Sequence, residues 1–338
     1  MDKIKTAGRP SLRPSTRRLI QLYSALLHNA HLKGFLEGEI YRGGAKYACV
    51  PGLNCYSCPG AVGACPLGAL QNALAASGHR AGWYVLGILL LFGVTLGRTI
   101  CGWLCPFGLL QELLHKIPTY KLKKSRVTRA LSWLKYAVLA LFVAAIPLWS
   151  GLSRGLPLPA FCQYLCPAGS FEGAVALLSH PQNSFLFGML GPLFTRKYLI
   201  LLGIVLACVF CYRSFCRFLC PLGAIYGLFN RFCLLGVRVD EARCSGCGAC
   251  VRGCGMDVRQ VGDQECIHCA KCLTLCPEKA ISLQAGKAVL KAPAAALSTE
   301  AQARRRKAGR IAWALALAVL CFALLWFNVL DPAVLPAG

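Results

Sequence analysis

The sequence predicts a mainly α-helical polytopic membrane protein, interrupted near its C-terminal end by a small α+β domain organised around cysteines. Three observations predict it. Of the 338 residues 56% are hydrophobic, yet the formal charge is +24, a pairing that soluble domains rarely show. The apolar residues gather into runs long enough to cross a bilayer, with Lys and Arg in the loops between them, the bias of cytoplasmic loops. The chain holds 22 cysteines and is far too long for a secreted disulfide scaffold. The positive charge is therefore read as a membrane footprint and not as a nucleic-acid surface.

The elements follow in order. Residues 1–36 form a basic N-terminus and a first span. No A-x-A cleavage site follows the early basic residues, so export as a soluble protein is not expected. Gln21, His28, Asn29, His31 and Lys33 interrupt the apolar run 19–36, which leaves an interfacial amphipathic helix as the alternative. Those polar residues either line a quinone pocket or face water. Residues 37–82 form an outer cysteine-rich segment. Residues 83–235 form a membrane core with spans at 83–97, 133–148 and 198–212, and the stretch 184–194 is too short to cross and reads as re-entrant or interfacial. Residues 236–292 form the cysteine-bound domain and 293–310 a basic linker. Residues 311–338 hold the last transmembrane helix and a tail. The basic loops 98–129 and 213–310 both belong inside, so the expected topology is five spans in the cytoplasmic membrane, with the cysteine-bound domain in the cytoplasm.

Eight cysteines carry that domain. Cys244, Cys247, Cys250 and Cys254 repeat the spacing of Cys266, Cys269, Cys272 and Cys276, each run being C-x2-C-x2-C-x3-C. This is the ligand run of two [4Fe–4S] clusters. It resembles a bacterial-type ferredoxin, which makes the expected insert a 2[4Fe–4S] ferredoxin-like α+β domain. The resemblance implies that the fourth cysteine of each run serves the other cluster. Cys244, Cys247, Cys250 and Cys276 then hold one, and Cys266, Cys269, Cys272 and Cys254 the other. Gly255 stands where Pro277 stands in the second run. A zinc site uses the same soft ligands but does not need two identical runs.

Three further runs share the form C-x3-C-P: Cys101 with Cys105, Cys162 with Cys166, and Cys216 with Cys220. Cysteines at i and i+4 lie on one helical face, and one pair supplies only two of the four ligands that a cluster needs. The topology pairs Cys101 and Cys105 with Cys216 and Cys220 at the inner rim. Cys49, Cys55, Cys58 and Cys65 fall on the outer side with Cys162 and Cys166, six thiols for one cluster with two spare, or for more than one metal centre. Structural thiols for the first set and disulfides for the second remain open. Arg98, Arg213 and Arg217 are placed either to raise a cluster's potential or to anchor the loops inside. No C-x-x-C-H, P-loop or G-x-G-x-x-G after a strand pattern is present, so c-type haem and nucleotide chemistry find no motif.

The run G-R-T-I-C-G-W-L-C-P-F-G from Gly97, the run F-C-R-F-L-C-P-L-G from Phe215 and the octet that follows them resemble the membrane-bound polyferredoxins of the NapH, NosR and CcoG type. The resemblance covers about residues 83–330. It implies an electron-transfer protein linking a cytoplasmic redox protein (a ferredoxin, a flavoprotein or an oxidoreductase subunit) or the quinone pool to a partner redox system, with a possible outer-side partner, in contact with membrane lipid and without nucleic acid. A third C-x3-C-P run and the N-terminal cysteines depart from the family pattern. The CcoG likeness leaves a second class open, a metal-handling or cofactor-assembly protein whose outer cysteines bind or reduce a metal ion such as copper.

Overall fold

A computed structural model describes residues 16–76, 82–122, 124–286, 288–291 and 299–331. Three of its helices are long and apolar enough to cross a bilayer: Arg126–Arg154, Pro192–Phe210 and Ala308–Leu330. The first begins at a capping box in which the Ser125 and Thr128 side chains each accept from the other's backbone N–H. Its middle opens into a π-helical run, Leu139–Ala145, just before Pro147. The wider turn absorbs a residue that has no N–H to give.

The expected spans at 19–36 and 83–97 differ from these. Residues 19–36 do not make one helix. Thr16–His28 is helical, the chain turns, and a five-residue helix Lys33–Glu37 ends at Gly38 with φ 69°. Thirteen residues rise only about 20 Å, against about 30 Å of hydrocarbon. The reason lies in which face is buried. Gln21, Ser24 and His28 are buried, while Leu19, Leu22 and Leu26 are 37–49% exposed. Such an inside-out helix turns its polar face to the protein and its apolar face outward. Arg17 reaches Glu112 and the Gly102 carbonyl, and Ser24 donates to the Leu104 carbonyl. The helix Trp83–Leu96 is likewise short, at 14 residues. It buries Val85, Leu89 and Gly93 at a spacing of four, and the Gly93 backbone lies against the Phe229 ring. The stretch 184–194 falls in a 3₁₀ run, Pro181–Met189, and Pro192 then opens the next helix.

The domain after the core is α+β. Strands β1 (Leu235–Val239), β2 (Ile281–Ala285) and β3 (Ala288–Lys291) form an antiparallel sheet in the order β1-β2-β3, with Val237 opposite Leu283. Val237, Leu273, Ile281 and Leu283 fill its small core, beside the helix Cys272–Leu275. Buried polar groups hold it to the membrane core. Glu265 takes both Arg98, at 2.9 Å, and Lys135, and Asp257 takes Arg217. Asn230 donates to the Asp263 and Cys266 carbonyls at 2.6 and 2.7 Å, and its Oδ1 accepts from the Arg98 backbone. Such pairs add little net stability, yet removing one partner costs about 3–5 kcal/mol because a charge is left buried alone.

Candidate iron–sulfur sites

One local structure is built three times. The helices Thr99–Trp103, Ala160–Tyr164 and Ser214–Phe218 each stop at a leucine followed by a cysteine. In all three the cysteine N–H reaches back five residues at 2.9 Å: Cys105 to Ile100, Cys166 to Phe161 and Cys220 to Phe215. The proline behind each cysteine opens a new helical stretch, at the position where its missing N–H costs nothing. Cys65 caps a fourth such helix, Pro66–Ala75. The glycine of each C-P-x-G run then brings a backbone N–H to the sulfur. Gly169 donates to the Cys166 sulfur and Gly223 to the Cys220 sulfur, each at 3.4 Å, and Gly68 and Gly108 serve Cys65 and Cys105. A helix N-terminus favours a thiolate.

These units converge in two groups. Cys101, Cys105, Cys216 and Cys220 are all buried at mutual electrostatic range. Two arginines cross between their halves: Arg98 donates to the Cys216 carbonyl at 3.3 Å, and Arg213 to the Cys101 carbonyl at 2.5 Å. Both guanidinium groups are fully buried, and Arg213 is held by Glu112. The second group draws four of the six outer cysteines together. Cys55, Cys65, Cys162 and Cys166 interact mutually. A Cβ at Gly68 would touch the Cys162 sulfur at 3.7 Å, and one at Gly173 the Cys55 sulfur at 3.4 Å. Cys58 falls outside it, and Cys49 is in range of Cys65 alone. The Cys58 sulfur lies 3.5 Å from Asn29 Oδ1, and the Cys49 backbone N–H donates to the Tyr84 hydroxyl at 3.3 Å.

Sequence reasoning kept these two groups on opposite membrane faces, and the segment 51–53 links them by contact. The Gly52 backbone packs on Cys105, where an added Cβ would lie 3.2 Å from its Cα. The Leu53 N–H faces the Cys105 sulfur, and Tyr226 donates to the Pro51 carbonyl at 3.0 Å.

The eight cysteines of the α+β domain line two cavities. One, of about 610 Å³, is lined by Cys244, Cys247, Cys250 and Cys276. The other, of about 320 Å³, is lined by Cys254, Cys266, Cys269 and Cys272, with Cys250 at its edge. Cys276 thus faces the first run's cavity and Cys254 the second's. Cys244 and Cys247 are exposed.

The donor chemistry fits an electron-rich sulfur cluster. Burial pushes the thiols up, Cys55 and Cys105 to about 12 and Cys162 and Cys216 to about 11, so they carry protons until a cation takes their place. Arg98 Nε is buried without a partner beside Cys101 and Cys216. Among the described residues no group of three or more His, Cys, Asp or Glu is close enough to hold a single metal ion. A cube, whose four corner irons stand apart, spreads its thiolates more widely.

Sequence reasoning missed the residue six places after the cysteine of each C-P-x-G run: Gln71, Gln111, Glu172 and Tyr226. Gln71 donates to the Cys162 sulfur at 3.2 Å and accepts from the Phe161 N–H; Gln111 donates to the Cys216 sulfur at 3.0 Å and accepts from the Cys216 N–H. Glu172 accepts from the Cys55 N–H at 2.7 Å, and its burial raises the carboxyl to about 7. Aligning the four C-P-x-G runs exposes this position. Of the polar residues considered for a quinone pocket, Asn29 bonds the Asn54 side chain and His31 lies 3.0 Å from the Pro59 carbonyl. Gln21 Nε2 and His28 Nδ1 are buried without a partner.

A helical frame with three helices long and apolar enough to cross a membrane, built around sulfur-rich sites, defines a membrane-associated, ferredoxin-type iron–sulfur protein. A family model described as "4Fe-4S binding domain" matches residues 81–125, 134–182 and 193–239, and each stretch contains one C-x3-C-P run. The chain belongs to this family of membrane-bound 4Fe–4S polyferredoxins. It is 30% identical over 212 residues to the uncharacterized protein MJ0749 of Methanocaldococcus jannaschii, covering 60% of this chain and 69% of that protein. The methylamine utilization ferredoxin-type protein MauN of Methylobacillus flagellatus is 30% identical over 176 residues, 50% of this chain and 51% of MauN. The ferredoxin-type protein NapH of Haemophilus influenzae is 26% identical over 207 residues, 57% of this chain and 64% of NapH. No solved structure matches the chain.

Proposed function

We propose that the chain relays single electrons through four [4Fe–4S] clusters, between a cytoplasmic redox protein or the quinone pool and a partner redox system across the membrane. The ligand sets in this reading are Cys244, Cys247, Cys250 and Cys276; Cys254, Cys266, Cys269 and Cys272; Cys101, Cys105, Cys216 and Cys220; and Cys55, Cys65, Cys162 and Cys166. Bound there, the clusters supply one-electron chemistry without bond making in the protein.

The observation that carries the reading is the serial order of the four thiol sets. The exposed Cys244 and Cys247 stand at one end. Gly102 and Trp103 join the second set to the third through Ile267 and His268. Gly52 and Leu53 join the third to the fourth. The names of the relatives, ferredoxin-type proteins among them, support the same class. The basic loops 98–129 and 213–310 favour a cytoplasmic side for the α+β domain. The metal-handling alternative would rest on the outer cysteines Cys49, Cys55, Cys58 and Cys65, and the gathering of Cys55 and Cys65 with Cys162 and Cys166 favours the relay over it.

The test uses the full chain in sealed vesicles, with an impermeant reductant outside and an impermeant one-electron acceptor trapped within. Reduction of the acceptor by the wild-type chain, lost in Cys101→Ser, is the expected result. No reduction above empty vesicles would overturn the transmembrane relay.

A further inference from the structure

We infer that Gly102 and Trp103 are the positioning residues of the electron junction between the α+β domain and the membrane core, an inference that rests on the relay reading above. The three C-x3-C-P runs differ at the residue after their first cysteine, which is Gly102, Gln163 or Arg217. The first of these faces the backbone of the second cysteine run. A Cβ at Gly102 would fall inside the van der Waals surface of the Ile267 carbonyl oxygen and lie 3.7 Å from the Cys269 nitrogen. The next residue adds a directed contact, for Trp103 Nε1 donates to the His268 carbonyl at 2.8 Å. Two segments that carry ligand cysteines, Cys101–Trp103 and Ile267–Cys269, are thus in van der Waals contact and bridged by the Trp103 hydrogen bond.

Both sides of the contact are clamped. On the membrane side Arg213 holds the Cys101 carbonyl at 2.5 Å and Arg17 the Gly102 carbonyl at 2.8 Å. On the other side Asn230 holds the Cys266 carbonyl at 2.7 Å, and His268 Nδ1 accepts from the Val237 N–H at 2.9 Å. His268 and Ala270 sit in the left-handed region, with φ 46° and 61°, a conformation that persists only where its surroundings over-determine it. Gly246 and Gly248 take the same left-handed shape, each with φ 67°, at the matching places of the first run, so the shape belongs to the cysteine loop; in the second run it presents the Ile267 and His268 carbonyls to Gly102 and Trp103. In the step served, one electron leaves one four-thiolate site and arrives at the next, and no bond forms or breaks.

The experiment compares Gly102→Ala and Trp103→Phe with wild type as anaerobically purified full chains. Iron content, the midpoint potential of each centre and the rate of electron passage from the α+β domain to the Cys101 site after rapid reduction are measured together. Trp103→Phe keeps an aromatic ring and loses only the indole donor. The expected result for both variants is wild-type iron and potentials with passage slowed severalfold, since electron transfer through protein falls steeply with each added ångström. A merely structural role would change iron or potentials and leave the rate of the loaded protein untouched. If Gly102→Ala loses iron, Trp103→Phe decides. Wild-type passage in fully loaded Trp103→Phe overturns the junction, whereas absence of passage in wild type would overturn the relay itself.

Discussion

Replacing Glu112 by glutamine removes the carboxylate that holds Arg213, whose side chain is fully buried, and releases Arg17 as well. Burial alone would raise the Glu112 carboxyl. The Arg213 charge and the Arg17 contacts overcome that and hold it at about 2, down from the ordinary 4.5. At about 1.36 kcal/mol per pH unit this displacement is worth about 3 kcal/mol. The independent figure for breaking a buried pair, about 3–5 kcal/mol, agrees. Because the folded value lies below the unfolded one, the contribution is complete above about pH 4.5 and is lost as pH falls toward 2. Glu112→Gln should therefore melt roughly 6–12 °C below wild type at neutral pH, at about 2–4 °C per kcal/mol for a large domain. The gap should close as the pH is lowered from about 4.5 toward 2. Anaerobic melting in detergent, followed by intrinsic fluorescence, measures it. Since Arg213 also holds the Cys101 carbonyl, the centre at Cys101 should bleach before those of the α+β domain. A melting point within about 1 °C of wild type at neutral pH would refute this electrostatic reasoning.

Substitutions of the cysteines sort the ligand sets. Cys101→Ser and Cys216→Ser should each abolish one and the same spectroscopic centre, and Cys55→Ser and Cys162→Ser a second one. Cys49→Ser and Cys58→Ser should leave both intact; loss of a centre in either would mean a different choice among the six outer thiols. Gln111→Leu removes the N–H donated to the Cys216 sulfur. Hydrogen bonds to cluster sulfur raise the potential, so the midpoint of that centre should fall in a redox titration, and an unchanged midpoint would remove Gln111 from the account.

The octet was legible because its spacing is a local property of the chain, and so was the α+β character of the segment that holds it. The convergence of Cys101, Cys105, Cys216 and Cys220 was accessible from the charge of the loops around them. Which outer thiols converge was not, because Cys55 approaches Cys162 and Cys166 through tertiary packing that no spacing encodes. The helix Thr16–His28 misled for a related reason. Its polar residues Gln21, Ser24 and His28 fall within an apolar run, yet they are buried in the protein, with Ser24 donating to the Leu104 carbonyl. Hydropathy records the interruption and not the direction in which it points. Gln71 and Gln111 were hidden as ordinary helical residues until their common distance from a Cys-Pro pair was seen beside their common sulfur contact.

The central claim is that the thiol sets of the membrane core hold clusters as those of the α+β domain do. Iron and acid-labile sulfide, counted per chain in anaerobically purified full-length protein, test it most directly. At four irons per cube, four sites predict about 16 irons and as much sulfide. About eight of each, the content of the α+β domain alone, would contradict it.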